Sequence, residues 1–149
     1  MATLTGKTAL VTGASRGIGR ASAIALAAAG AQVLVHYGRG AKEADDVVAE
    51  IAEAGGRADA IATDLAAADG AGKLARQVRS IVGDRLDILV ANAGVLKAAT
   101  IEETTVEDFD RLFAVNVLRL RSVDEATCRS PCGWFGDGSL RGCPRWSTR

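Results

Sequence analysis

Apolar positions recur along the first 117 residues in two rhythms, short runs with the period of a strand and longer runs with the spacing of a helix face. Thr8-Ala-Leu-Val-Thr12 is a short apolar run ending on a glycine-containing turn, as a buried strand feeding a helix requires. The alanine-rich stretch from Ile18 to Ala29 stops at Gly30, which predicts a helix with a glycine just past its end. A second strand is predicted at Gln32–Tyr37. A helix follows over 41–54, where Val47, Val48, Ile51 and Ala54 form a stripe closed by Gly55-Gly56. A weaker strand over 57–63 ends at Asp64, and Leu74, Val78, Ile81 and Val82 place a helix over 74–82. The strongest remaining strand is Leu86–Ala91. A last helix is predicted from Val106 to Val117, with Phe109, Leu112, Phe113 and Val117 sharing one face. Strands and helices thus alternate through short connections, which predicts an α/β parallel sheet covered by helices on both faces. Right-handed crossovers put the first strand at the centre, the second and third to one side and the fourth to the other.

The totals exclude some partners. Lys plus Arg and Asp plus Glu both number 18 in 149 residues, so no charge excess points to nucleic acid or an anionic membrane. The longest apolar stretch, Ala21–Val35, is interrupted by Gly30 and Gln32 and is too short to span a bilayer. The start, Met1 to Lys7, has no apolar signal core, so the expected compartment is the cytoplasm and the cysteines are expected as thiols. His36 is the only histidine, and with no cluster of cysteines or carboxylates around it no metal site is expected. The distribution changes more than the totals do. Every Cys, Trp and Pro lies in the last 22 residues, among them Cys128, Pro131, Trp134, Cys143 and Trp146, which marks a break near residues 117–123.

The candidate chemistry begins at Thr12-Gly-Ala-Ser-Arg-Gly-Ile-Gly19, where glycines at 13, 17 and 19 lead from a strand straight into a helix. Glycines permit a tight turn and a close backbone approach, and the helix start offers unpaired N–H groups and a positive dipole end to a pyrophosphate. Dinucleotide sites selective for NAD place a carboxylate about 20 residues further on to hold the ribose 2′-hydroxyl. Here the second strand ends His36-Tyr37-Gly38-Arg39, without an acid. Arg16 and Arg39 can each give charge-assisted hydrogen bonds to a 2′-phosphate, so NADP(H) is favoured over NAD(H); the alternative is that both are solvated loop residues. Asp64 is also placed to cap a helix starting at Leu65, and Asn92 to serve as a plain turn residue before Gly94. Asn116, an amide within an apolar helical pattern, needs hydrogen-bond partners to be tolerated there.

The stretch Thr12 to Gly19 resembles the cofactor-binding motif of the short-chain dehydrogenases/reductases. Asn92-Ala93-Gly94 is similar to a second motif of that family, Asp64-Leu65 to its adenine contact, and Asn116-Val117 to the site of its structural and catalytic asparagine. The resemblance implies a Rossmann-like, doubly wound sheet cut short after the fourth strand–helix unit. Residues 1–118 would be the dinucleotide-binding half, and 119–149 a stretch outside the family pattern, frameshifted or disordered. Codons for Asp124 to Phe135 read one base later permit a string similar to the family's fourth helix, so a shift of frame is one account of the break and a genuine divergent tail the other.

Carried onto this chain, the resemblance implies that Gly13, Ser15, Arg16, Gly17, Ile18, Gly19, Tyr37, Arg39, Asp64, Leu65, Asn92, Ala93 and Gly94 contact a nicotinamide dinucleotide. It also implies oxidoreductase chemistry and homo-oligomeric full-length relatives. In the family a tyrosine acts as general acid, with a lysine four residues later lowering its pKa, a serine polarising the carbonyl and the asparagine completing a proton relay. Of that set only Asn116 is present: the one tyrosine is Tyr37 and the last lysine is Lys97. The expectation is an NADP(H)-dependent oxidoreductase of that family represented by a truncated or mis-framed chain, which keeps the cofactor-binding part, lacks the catalytic tyrosine and lysine and is inactive as it stands, with an inert nucleotide-binding module or a fragment that does not fold alone as the alternatives. The substrate is not legible.

Overall fold

The structure is a computed structural model that describes residues 3–83 and 85–119, with 133–134 and 140–141 beyond them. Its strands are β1 (Thr8–Val11), β2 (Gln32–Tyr37), β3 (Arg57–Ala62) and β4 (Ile88–Val90), and its helices are α1 (Gly17–Ala28), α2 (Ala41–Glu53), α3 (Gly70–Val82) and α4 (Val106–Phe113). All four strands run parallel in the order β3-β2-β1-β4, the arrangement that the alternation and the crossover rule predict.

The period of two along each strand sorts the core into two layers. Ala9, Val11, Val33 and Val35 pack with Ala23 and Ala27 of α1 and Val47 and Ile51 of α2. Leu10 and Leu34 point to the opposite face, where Leu74 and Val78 of α3 and Leu65 cover them. Small alanines on α1 let that helix lie close to the sheet, while the bulk on the other face comes from leucines. At the N-terminal end of the strands, Asp87 joins β4 to β1 by accepting from the Thr8 amide at 3.0 Å and from Lys7 at 3.0 Å.

The observed elements differ from the sequence pattern in places that have physical reasons. α3 starts at Gly70 rather than Leu74, because its first turn, Gly70-Ala-Gly72, carries no large apolar residue to reveal it, yet Gly70 and Ala71 are buried. No helix begins at Leu65, so Asp64 caps none there; its Oδ1 accepts from the Ala66 amide at 2.8 Å, closing a turn of the Asx type. The fourth helix is α-helical only to Phe113 and continues as a π-helical segment, Ala114–Arg119. A Thr105–Asp108 capping box fixes its start. Its predicted apolar face is open in this structure: Phe109 is 59% exposed and Phe113 44%. β5 (Gly133–Trp134) and β6 (Leu140–Arg141) form a small antiparallel pair. The other residues of the 120–149 stretch, with Cys128, Cys132 and Cys143, lie outside the described residues.

Candidate functional site

The C-terminal ends of all four strands open on one side of the sheet, where the chain turns into helices or loops. Because β1 pairs with β2 on one side and β4 on the other, the turns after these strands are brought together around the glycine segment. A cavity of about 380 Å³ lies there. Gly13, Ser15 and Arg16 line it from the glycine turn, Arg39 from the turn after β2, Asp64 and Leu65 from after β3, and Asn92, Ala93 and Gly94 from after β4.

The glycine turn is shaped by close approaches. Gly13 and Gly17 have φ of +64° and +57°, a left-handed conformation that other residues adopt only at a cost. Gly19 is demanded by space: a Cβ there would sit 2.4 Å from the Gly13 carbonyl oxygen and 2.5 Å from Asn92 Nδ2. Asn92 Nδ2 donates to the carbonyls of Thr12 at 2.9 Å and Gly13 at 3.1 Å, so its amide ties the turn after β4 to the glycine turn. The Thr12 hydroxyl completes the tie by accepting from the Asn92 and Ala93 amides, both at 2.9 Å. Asn92 is therefore a cross-strand brace and more than a turn residue.

At the start of α1, Arg16 occupies the cap position without a side-chain hydrogen bond to the helix, and no acid stands in the first turn. Such a terminus leaves N–H groups and positive potential available to an anion. Ser15 is 7% exposed, lines the cavity, and has no hydrogen-bond partner for its hydroxyl among the described residues. Arg16 and Arg39 form no ion pair among the described residues. A buried unpartnered hydroxyl, an uncapped helix start and guanidinium groups on one cavity fit a phosphate-bearing ligand.

Other expected residues stand beside the cavity. Ile18 is 79% exposed on the first turn of α1. Tyr37 packs against the core layer of α1 and α2 instead of lining the cavity. Asn116 lies in the π-helical segment and is exposed rather than enclosed among apolar neighbours, yet its amide is satisfied: Oδ1 accepts from the Val95 amide at 2.8 Å and Nδ2 donates to the Val95 carbonyl at 2.9 Å. It pins the segment after β4, and a Cβ on Gly94 would lie 3.3 Å from its Oδ1.

The sequence reading missed residues that the fold brings to the same cavity: His36, Thr63, Arg111 and Val115. His36 is 2% exposed. Its Nδ1 accepts from the Gly13 amide at 3.1 Å and its Nε2 lies 3.0 Å from the Thr63 carbonyl oxygen. Burial pushes its pKa below the usual 6.5 against the opposing effect of the Thr63 carbonyl, so the ring is neutral. The available signal was a polar residue at an inward position of an apolar strand, which must find hydrogen-bond partners. Arg111 and Val115 come from the fourth helical region, and no spacing in the sequence ties them to the glycine turn.

Fold and site together define a Rossmann-like α/β unit with its cavity at the C-terminal ends of the strands. The profile of the short chain dehydrogenase family matches residues 7–127, and the chain belongs to that family. It is 46% identical over 129 residues to an uncharacterized oxidoreductase of Methylorubrum extorquens, a match covering 87% of this chain and 52% of that protein. The crystal structure of angucycline C-6 ketoreductase LanV with bound NADP is 45% identical, with a TM-score of 0.79 over 83% of this chain and 50% of that one. A 3-oxoacyl (acyl-carrier-protein) reductase of Agrobacterium tumefaciens with NADP bound is 36% identical, with a TM-score of 0.78 over 85% of this chain and 48% of its own. The chain thus spans about half the length of the relatives it matches. Among the described residues no helix is long and apolar enough to cross a membrane.

Proposed function

We propose that this chain is the NADP(H)-binding half of a short-chain dehydrogenase/reductase-type oxidoreductase. The observation that carries the reading is the junction of the uncapped α1 start and the buried Ser15 hydroxyl with Arg16 and Arg39 on one cavity. Gly13 to Gly19 would hold the pyrophosphate with backbone N–H groups, while Arg16 and Arg39 would hold the 2′-phosphate where NAD-selective sites place an acid. Asp64 and Leu65, on the same cavity, would flank the adenine, and Asn92, Ala93 and Gly94 would line the path toward the nicotinamide. When bound, the nicotinamide supplies a hydride; the protein's part is to bind and orient it. NADP in the two related crystal structures supports the choice of cofactor.

The reading extends to what this chain would not do. Its one tyrosine, Tyr37, is packed on the core layer of α1 and α2, and Lys97 precedes α4, so neither is placed as a Tyr-x-x-x-Lys pair. Asn116 has both ends of its amide engaged by Val95, which supports a positioning role. A second reading concerns the isolated chain: among the described residues β4 is a sheet edge and the apolar side of α4 is open, which favours weak independent folding.

Calorimetric titration with NADPH and NADH, on protein whose circular dichroism melts cooperatively, tests both readings. NADPH should bind at least about tenfold tighter, the worth of one hydrogen bond to a charged group, and Arg39→Ala should narrow the ratio. Equal or tighter NADH binding overturns the cofactor assignment, and a chain without a cooperative melt establishes the second reading.

A further inference from the structure

We propose that His36 is a positioning residue of the nucleotide site, a neutral imidazole that clamps the glycine turn to the end of β3. The inference rests on the nucleotide reading above for its purpose, but its geometry stands without it. The Gly13 amide can only donate and the Thr63 carbonyl can only accept, so contacts of 3.1 Å at Nδ1 and 3.0 Å at Nε2 admit one tautomer, with the proton on Nε2. The backbone of the same residue adds a third tie, because the His36 carbonyl accepts from the Ala14 amide at 2.8 Å. His36 thereby holds Gly13 and Ala14, the first residues past Thr12. Thr63, its other partner, is fastened in turn: its amide donates to the Tyr37 carbonyl at 3.0 Å and its hydroxyl bonds Gln77 of α3. The clamp links turns that line one cavity from three strands.

This arrangement makes the turn sensitive to a proton. A second proton on Nδ1 would face the Gly13 N–H donor to donor, and that contact must open. Burial already disfavours the charged ring. Both partners of the ring are uncharged backbone groups. The charged groups bordering the same cavity are Arg16 from the glycine turn, Arg39 after β2, Asp64 after β3 and Arg111 on α4, and the cations among them disfavour a charged imidazole further. From α3 the nearest member of the network is the neutral Gln77. The turn that presents N–H groups to a pyrophosphate would therefore lose its shape as pH falls through the His36 pKa.

The test uses the chain's single histidine, whose ring nitrogen resonances need no assignment by mutation. Without nucleotide, long-range nitrogen–proton NMR between pH 8 and 4.5 should give the Nε2–H tautomer at neutral pH and a midpoint below 6.5, with the Gly13 amide shifting at that same midpoint. An Nδ1–H tautomer, or a Gly13 amide indifferent to the titration, overturns the clamp.

A binding arm then asks whether the clamp serves the nucleotide. His36→Asn offers an amide oxygen to Gly13 and does not titrate, so the ratio of wild-type to variant Kd for NADPH cancels the titration of the nucleotide's own phosphate. The ratio should rise roughly tenfold below the midpoint, the worth of one buried amide left unpaired. His36→Phe, which fills the space without accepting, should bind NADPH more weakly at neutral pH, and Asn should restore most of the loss. A flat ratio from pH 8 to 4.5 overturns the positioning role even where NADPH binds. Co-titration of His36 and Gly13 in a chain that binds no nucleotide at any pH instead retains the clamp and discards the nucleotide reading.

Discussion

Replacing Thr12 by valine tests the brace between β1 and β4 with almost no change of shape. Thr12 is fully buried. Its hydroxyl oxygen accepts from the Asn92 and Ala93 amides at 2.9 Å each and donates, over a longer 3.3 Å, to the Val90 carbonyl. The Asn92 amide keeps a second acceptor in that carbonyl at 3.0 Å, whereas among the described residues Thr12 is the acceptor of the Ala93 amide. Thr12→Val therefore orphans one N–H and weakens another. An unsatisfied part-buried donor costs about 1–3 kcal/mol, and the added methyl returns about 0.8 kcal/mol of burial at most, leaving a net loss of about 1 kcal/mol. In urea, where chains of this size have slopes of about 1–3 kcal/mol per molar, the midpoint should fall by about 0.5 M. Thr12→Ser keeps the oxygen and should lose less than half as much. A valine variant whose midpoint moves by less than about 0.3 M, or a serine variant as damaged as the valine one, would refute the brace.

Gly19→Ala should cost about 1–3 kcal/mol by overpacking, because its Cβ would strike the Gly13 carbonyl and the Asn92 amide that holds it; unchanged melting and NADPH affinity would contradict the close approach. For Asp87, burial alone would raise the pKa, but hydrogen bonds from the Thr8 amide, Arg85 and Lys7 outweigh it and hold the carboxyl at about 2. Its folded pKa lies below the unfolded 3.8, so its contribution is fully present above pH 3.8 and is lost as pH falls toward 2. That contribution is worth at most about 2 kcal/mol, since its cationic partners are solvent-screened. Asp87→Asn should lower stability at pH 7 and flatten its decline through that window, as urea melts at several pH values will show. NADPH oxidation followed with ketones and 3-oxoacyl thioesters should give no turnover by the 149-residue chain; activity that survives repurification would mean that a residue other than the family tyrosine donates the proton.

The sheet was legible because its information is local and periodic. β2 shows this best: Gln32–Tyr37 appears with the same bounds in the pattern and in the structure, and its alternation assigns Val33 and Val35 to one layer and Leu34 to the other. Boundaries failed where a turn of helix carries no large apolar residue, as at Gly70-Ala-Gly72, and where hydrogen bonding changes without a change in pattern, as at Ala114. Periodicity of 3.6 cannot distinguish an α-helix from a π-helical segment over so few residues. It also reports which residues share a face and is silent on whether anything covers that face, which at Phe109 and Phe113 stands exposed.

The site divides along a different line. Residues whose role is carried by their own backbone, such as Gly13 and Gly19, were legible because a glycine at fixed spacing states a conformational need. Residues that act by reaching across the fold were not. Asn92, 80 positions from Thr12, stood out as a cofactor-lining or turn residue, but its tie emerged only when the parallel pairing of β1 and β4 placed its amide against the Thr12 and Gly13 carbonyls. His36 read as a lone histidine for the same reason, since Gly13 and Thr63, 23 and 27 residues away, become its partners only when β1, β2 and β3 lie in register. In a parallel sheet every partner at the strand ends is separated by at least one crossover helix, so hydrogen bonds between those ends are long-range in sequence. A buried polar residue near the end of a strand in such a pattern therefore marks a cross-strand tie, even where its partners cannot be named before the register is known.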